Sequence, residues 1–199
     1  GNAGLIVPSH FVPLASPGIV WQGIKWIFDA KSPFSMNFKP NINLAKWGMR
    51  FWASSNKKNV KKAAPVLLEL NSFSKELYKS INQNPALSLN YTERGLLMLF
   101  HSREKAHEES KIAKEANRLG IKASFLNPDE IKTLEPNTEF DVAGGVYYPG
   151  DASILPGIYL KTIINYLKSK KVNLLPNHEL IDILITDNKA VKAITNNGN

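Results

Sequence analysis

Apolar and polar positions change rhythm several times along this chain, and each change marks an element. Residues 4 to 15 are apolar and punctuated by Pro8 and Pro13. Proline lacks the N–H that a helix needs and disfavours helix before it, so this stretch reads as an extended segment or loop. After Ser16-Pro17-Gly18, the residues Val20, Ile24, Ile27 and Phe28 recur at three-to-four spacing and predict a short helix. Residues 29 to 41, with Pro33 and Pro40, predict a loop. Asn43 is placed to cap a second helix over 44–53, carrying Trp47, Phe51 and Trp52. Asn56 is placed to cap a third, running to about residue 82. Its apolar stripe is Val60, Ala64, Leu67, Leu68, Phe73, Leu77 and Ile81. Pro65 inside that stripe predicts a kink or a break.

The second half is punctuated more sharply. Leu96 to Phe100 is short and wholly apolar, the pattern of a buried strand. Ser102 caps a helix to about Leu119, with Glu104, Glu108 and Glu109 near its positive end and Gly120 as the stop. Asn127-Pro128-Asp129-Glu130 opens a short helix that Glu135-Pro136 ends. The stretch from Gly144 to Gly157 comes next. It reads as a strand, Val146 to Tyr148, and a turn at Pro149-Gly150-Asp151. A helix follows, with Asp151 or Ser153 as cap and Pro156 in its first turn. Leu160, Ile163, Ile164 and Leu167 form its expected buried face. Val172 to Leu175 reads as a strand, and 181–185 with 191–195 as a hairpin turning at Asp187-Asn188-Lys189. The expected fold class is α+β, a mixed or antiparallel sheet with several helices.

Composition narrows the chemistry. A chain of 199 residues can bury a core as one large domain or two small ones. It has no cysteine, which excludes disulfides, thiolate metal sites and a cysteine nucleophile. No apolar run of about 18 residues occurs, so no transmembrane helix is expected. The net charge of +8 fits either a lysine-rich solvated surface or anionic partners. The chain opens without methionine and closes on the turn signal Asn196-Asn197-Gly198, so a piece of a longer protein is expected.

No glycine-rich phosphate loop of the Gly-x-Gly-x-x-Gly or Walker type is present. His101, Glu104, His107 and Glu108 lie within eight residues, but the acids also suit a capped helix start, and no metal is expected. Ser9 and His10 are sequence neighbours whose side chains diverge on an extended segment, which argues against a hydrolytic triad. Trp21, Lys25, Trp26, Lys46, Trp47, Arg50 and Trp52 interleave bases with aromatics. That pattern serves a packed core, a nucleic-acid surface or an interfacial membrane helix.

Four segments, taken in order, resemble the FAD-dependent oxidoreductases of the D-amino-acid oxidase superfamily, the bacterial D-amino-acid dehydrogenases most closely. They are Gly1-Asn2-Ala3-Gly4-Leu5-Ile6-Val7-Pro8-Ser9, Trp47-Gly48-Met49-Arg50-Phe51-Trp52, Gly95-Leu96-Leu97-Met98-Leu99-Phe100, and Gly145-Val146-Tyr147-Tyr148-Pro149-Gly150-Asp151-Ala152 to Pro156. The resemblance implies a central fragment, mainly the substrate domain of an enzyme that oxidatively deaminates D-amino acids by hydride transfer to flavin. It implies a flavin-facing segment over 1–42, a substrate domain over 43–148, and a return helix and hairpin of the FAD domain over 149–199. Asn2, Ala3, Gly4 and Leu5 are then expected at the flavin, and His10, Tyr147 and Tyr148 at the substrate. The cofactor is FAD, and the partners are an amino-acid substrate and a membrane-surface or respiratory-chain contact, with no nucleic acid. The expected location is cytoplasmic, peripheral at the inner membrane. The family's dinucleotide loop is expected within about 50 residues before Gly1, as a single βαβ unit requires. Neither FAD binding nor catalysis is expected of this chain alone. The alternative is a non-enzymatic basic helical module that binds anionic membrane or nucleic acid.

Overall fold

A computed structural model describes residues 4–27 and 42–197, which form two compact units meeting in sequence at Tyr159 and Leu160. The first unit is built around β4 (Gly144–Tyr148), the middle strand of a three-stranded antiparallel sheet. On one side lies β2 (Leu96–Phe100), with Met98 opposite Val146 and Phe100 opposite Gly144. On the other lies β3 (Ser124–Leu126), with Leu126 opposite Gly145. The paired glycines explain how β4 fits between them. A Cβ on Gly144 would stand 2.9 Å from the Phe100 ring and 2.9 Å from the Leu126 carbonyl oxygen. Gly145 would meet the Met98 carbonyl at 3.0 Å.

A second, smaller ladder joins distant parts of the chain. β1 (Leu5–Ile6) pairs antiparallel with β5 (Ala152–Ser153), and Thr92 bridges to Ser153. Strands of two residues leave no periodic signature, and neither these nor β3 was expected from the pattern. Residues 4 to 15 are otherwise non-helical, as their prolines require, with a turn at Pro8-Ser9 closed by the His10 N–H on the Val7 carbonyl at 3.0 Å.

Helix α1 covers Ile19–Ile27 and α2 covers Ile42–Ser54. Because α2 begins at Ile42, Asn43 lies inside its first turn and is not its cap. Phe28 and the expected loop over 29–41 fall outside the described residues. α3 (Lys57–Asn82) starts at its Asn56 cap, whose side chain accepts from the Asn59 N–H. It runs unbroken through Pro65, with Ala64 and Leu68 packed in the core on either side. Its expected stripe needs correction. The residues that pack are the expected Ala64, Leu68 and Ile81 together with Asn71, Lys75 and Tyr78, whereas Phe73 and Leu77 point to solvent. Successive residues turn 100°, so Phe73 lies opposite Ala64, and a reading by hydropathy passes over the polar members of the true face.

α4 (Arg103–Arg118) packs on β4 through Ala113 and Ala116. Ser102 caps it by accepting from the Lys105 N–H. It ends in a Schellman motif: Gly120 takes a left-handed φ of 86°, and Ile121 N–H donates to the Ala116 carbonyl at 2.9 Å. α5 (Pro128–Leu134) has the full capping box between Asn127 and Glu130. The main core gathers Phe11, Ala64, Phe100, Val146 and Tyr148 beneath these helices.

α6 (Pro156–Ser169) opens in the first unit and continues into the second. None of its residues is buried, and Leu160 and Ile164 are exposed, contrary to the expected buried face. The second unit offers only the later turns of α6 and one two-stranded ribbon, too little to enclose a core. No strand forms over 172–175. Val172 N–H is used to finish α6, donating to the Leu167 carbonyl at 3.0 Å while Lys171 adopts a φ of 59°. β6 (Leu180–Thr186) and β7 (Lys189–Thr195) form the expected hairpin, turning through Asp187 and Asn188, both with positive φ. The α+β class with antiparallel pairing stands.

Candidate functional site

The extended N-terminal segment is held at two points by the turn that leaves β4. Ile154 N–H donates to the Gly4 carbonyl at 2.8 Å, beside the β1–β5 ladder. Gly4 itself has a φ of 79°, and a Cβ there would stand 2.3 Å from the Ile154 oxygen. Glycine is thus required for close packing against β5. The second point is Asp151, 1% exposed. Its carboxylate accepts the Ser9 hydroxyl at 2.5 Å and the Ser9 N–H at 3.2 Å. Burial pushes its carboxyl above the usual range, while the Ser9 hydrogen bonds and the nearby His10 and Lys75 oppose that shift. The Asp151 carbonyl accepts from Gly95 N–H at 3.0 Å, so one residue ties three segments together.

This clamp presents His10 at the junction of two openings. A cleft of about 410 Å³ is lined by Gly4, Leu5, His10, Asn71, Ser74 and Tyr78, among others. That volume lies within the range of small-molecule sites. A smaller cavity of about 150 Å³ is lined by Ser9, His10, Met98, Glu109, Ile112 and Tyr148, with Val12 at its edge. The backbone of His10 is fixed from both sides. Its N–H donates to Val7 O at 3.0 Å, and its carbonyl accepts from Asn71 Nδ2 at 3.2 Å.

The two adjacent tyrosines face opposite sides of β4, as strand geometry requires. Tyr148, 3% exposed, belongs to the core and edges the smaller cavity. Its hydroxyl is pushed up to about 12, first by burial and then by Glu109 and Asp151. Tyr147 lies on the other face, where its ring packs under Gly95 and its hydroxyl donates to the Arg94 carbonyl at 2.9 Å. The structure therefore brings Gly4, Leu5 and His10 around one cleft and His10 with Tyr148 around the other cavity. Tyr147 borders neither. Asn2 and Ala3 lie outside the described residues.

Sequence reasoning missed the Ser9–Asp151 pair, along with Asn71, Ser74, Tyr78 and Glu109. Asp151 was legible as a turn residue, but nothing local signals a bond spanning 142 positions. Among the described residues no three His, Asp or Glu side chains are gathered to hold a metal ion, and His101 Nδ1 lies 2.6 Å from the Asp141 carbonyl oxygen.

Helices packed over small antiparallel sheets form a fold that this chain shares with proteins of known structure. Glycine oxidase from Geobacillus kaustophilus superposes with a TM-score of 0.60, covering 99% of this chain and 41% of its own at 16% identity. L-proline dehydrogenase from P. horikoshii gives 0.54, covering 66% and 35% at 21% identity. At these identities the likeness establishes the fold. The chain belongs to the FAD dependent oxidoreductase family (DAO), whose model matches residues 1–199. It is similar to a D-amino acid dehydrogenase of Helicobacter pylori strain J99, 27% identical over 195 residues, which is 98% of this chain and 46% of that protein. The chain thus spans just under half the length of the curated relatives it matches. Family membership leaves the alternative of a non-enzymatic basic module unfavoured.

The family's cofactor is FAD. The larger cleft is lined by backbone and by the hydrogen-bonding side chains of Asn71, Ser74, Tyr78 and His10. That donor set suits the edge of a flavin ring. It offers no lysine or arginine and no glycine-rich helix start for a pyrophosphate. The residues present fit the ring and do not fit the phosphates.

Proposed function

We propose that the full protein is an FAD-dependent dehydrogenase of D-amino acids, and that this chain supplies the substrate-domain part of its site. The similarity of 98% of the chain to D-amino acid dehydrogenases is the observation that carries the reading. When bound, FAD supplies the hydride acceptor for the substrate Cα–H, and water then turns the substrate imine into a keto acid and ammonia. Residues 1–42 face the flavin, with Asn2, Ala3, Gly4 and Leu5 contacting it through backbone groups. Residues 43–148 form the substrate domain, and 149–199 return to the FAD domain. His10 and Tyr148 line the substrate's side of the site. Tyr147 serves beside them by holding the Arg94–Gly95 backbone that enters β2, through its hydroxyl on the Arg94 carbonyl. The electrons leave to a respiratory-chain acceptor at the inner membrane, with the protein on the cytoplasmic side. Among the described residues no helix is long and apolar enough to cross a membrane.

The test is anaerobic titration of the purified full-length protein. A yellow preparation whose flavin bands bleach with D-amino acids and persist with L-amino acids supports the reading. A colourless protein, or bleaching by L-amino acids alone, overturns it.

A further inference from the structure

All four tryptophans of the chain lie on α1 and α2. Trp21, Trp47 and Trp52 are 64%, 58% and 69% exposed. α2 buries none of its residues. Turning 100° per residue, it places Asn43, Lys46, Arg50 and Ser54 on one narrow stripe and leaves the remaining face to Ile42, Trp47, Met49, Phe51 and Trp52. Trp47 stacks on Phe51 with ring centroids 5.1 Å apart. A hydrogen-bonded corner then joins α2 to α3. Ser55 Oγ donates to the Phe51 carbonyl, Asn56 Nδ2 to Ala53 and Asn59 Nδ2 to Ser54. The corner sets Lys57, Lys58, Lys61 and Lys62, all exposed, directly after Trp52. No aspartate or glutamate occurs from residue 30 to residue 68. The ion pairs among the described residues involve none of these cations.

We propose that α2 and the first turns of α3 form a docking face for an anionic lipid bilayer, with α2 lying in the plane of the headgroups. Tryptophan at an apolar face, edged by lysine and arginine, is the composition of an interfacial helix. An acid-free stretch of this length is complementary to anionic headgroups. A face covered by protein would instead be depleted in lysine. This inference deepens the reading above by naming how the protein reaches the membrane. It is tested without turnover, so its failure leaves the dehydrogenase reading intact.

The experiment is co-sedimentation of the full-length protein with vesicles of phosphatidylcholine alone or with 30 mol% phosphatidylglycerol. Binding to the anionic vesicles is expected, with little to the neutral ones. Lys46→Gln/Arg50→Gln removes two cations worth about 1 kcal/mol each at such a surface, so binding falls about 30-fold. Trp47→Ala/Trp52→Ala weakens it at least about tenfold, with the flavin bands of the protein unchanged. Four results overturn the proposal: no anionic binding, equal binding to both vesicles, displacement of the vesicles by a single-stranded oligonucleotide, or unchanged binding by the surface variant Lys46→Gln/Arg50→Gln. Loss of a dimer or of bound flavin in the tryptophan variant also overturns it, by showing the face covered by protein.

Discussion

Removal of the Ser9 hydroxyl isolates the clamp on the N-terminal segment. In Ser9→Ala the Asp151 carboxylate, 1% exposed, keeps only the Ser9 N–H at 3.2 Å and loses the hydroxyl at 2.5 Å. A hydrogen bond to a charged acceptor contributes about 1.5–3 kcal/mol, so a loss of about 2–3 kcal/mol is expected. Asp151→Ala strands two buried donors at about 1–3 kcal/mol each, partly offset because a buried charge disappears. A net cost of about 2–4 kcal/mol follows. The two changes remove the same bond, so the double variant is less destabilised than the sum by about 1.5–3 kcal/mol. Urea unfolding of the full-length protein at neutral pH, carried through the double-mutant cycle, measures this coupling. Additivity within about 0.5 kcal/mol would refute the claim that the pair acts as a clamp.

Three further outcomes follow from the same geometry. Burial raises the folded pKa of Asp151, so the folded state holds the proton more tightly than the unfolded one. Its contribution is therefore full below the unfolded value of about 3.9 and is lost as pH rises through the raised folded value. Unfolding curves from pH 4 to 7 should show the wild type losing stability relative to Asp151→Asn. Gly4→Ala forces a Cβ to 2.3 Å from a backbone oxygen at a φ of 79°, and should abolish soluble folded protein or lower its melting temperature sharply. Tyr147→Phe should cost about 0.5–1.5 kcal/mol through its bond to Arg94 and leave substrate affinity unchanged, whereas Tyr148→Phe should raise KM.

Local signals carried most of the fold. Asn56, Ser102 and the Asn127–Glu130 box cap the helices expected of them, and Gly120 ends one, because capping is chemistry between residues a few positions apart. The Asp187-Asn188 turn was legible for the same reason. The packed face of α3 was not, since Asn71 and Lys75 are only half-buried and are held by partners far away in sequence, the His10 carbonyl and Glu93. The short ladder of β1 with β5 gave no signal at all. At the site both Tyr147 and Tyr148 were expected at the substrate, whereas strand geometry makes neighbours diverge and only Tyr148 edges the cavity. The pattern did not say which faces the cavity, because that depends on where α4 and the N-terminal segment pack.

The clamp also has a consequence in time. Ile6 pairs with Ala152, so the partner of β1 leaves the ribosome 146 residues after it. At about 5–20 residues per second, Leu5, Ile6 and Phe11 wait roughly 7–30 s before Asp151 and β5 arrive. During synthesis the N-terminal wall of the cleft thus stays unpaired, and the site closes only when the turn after β4 is made.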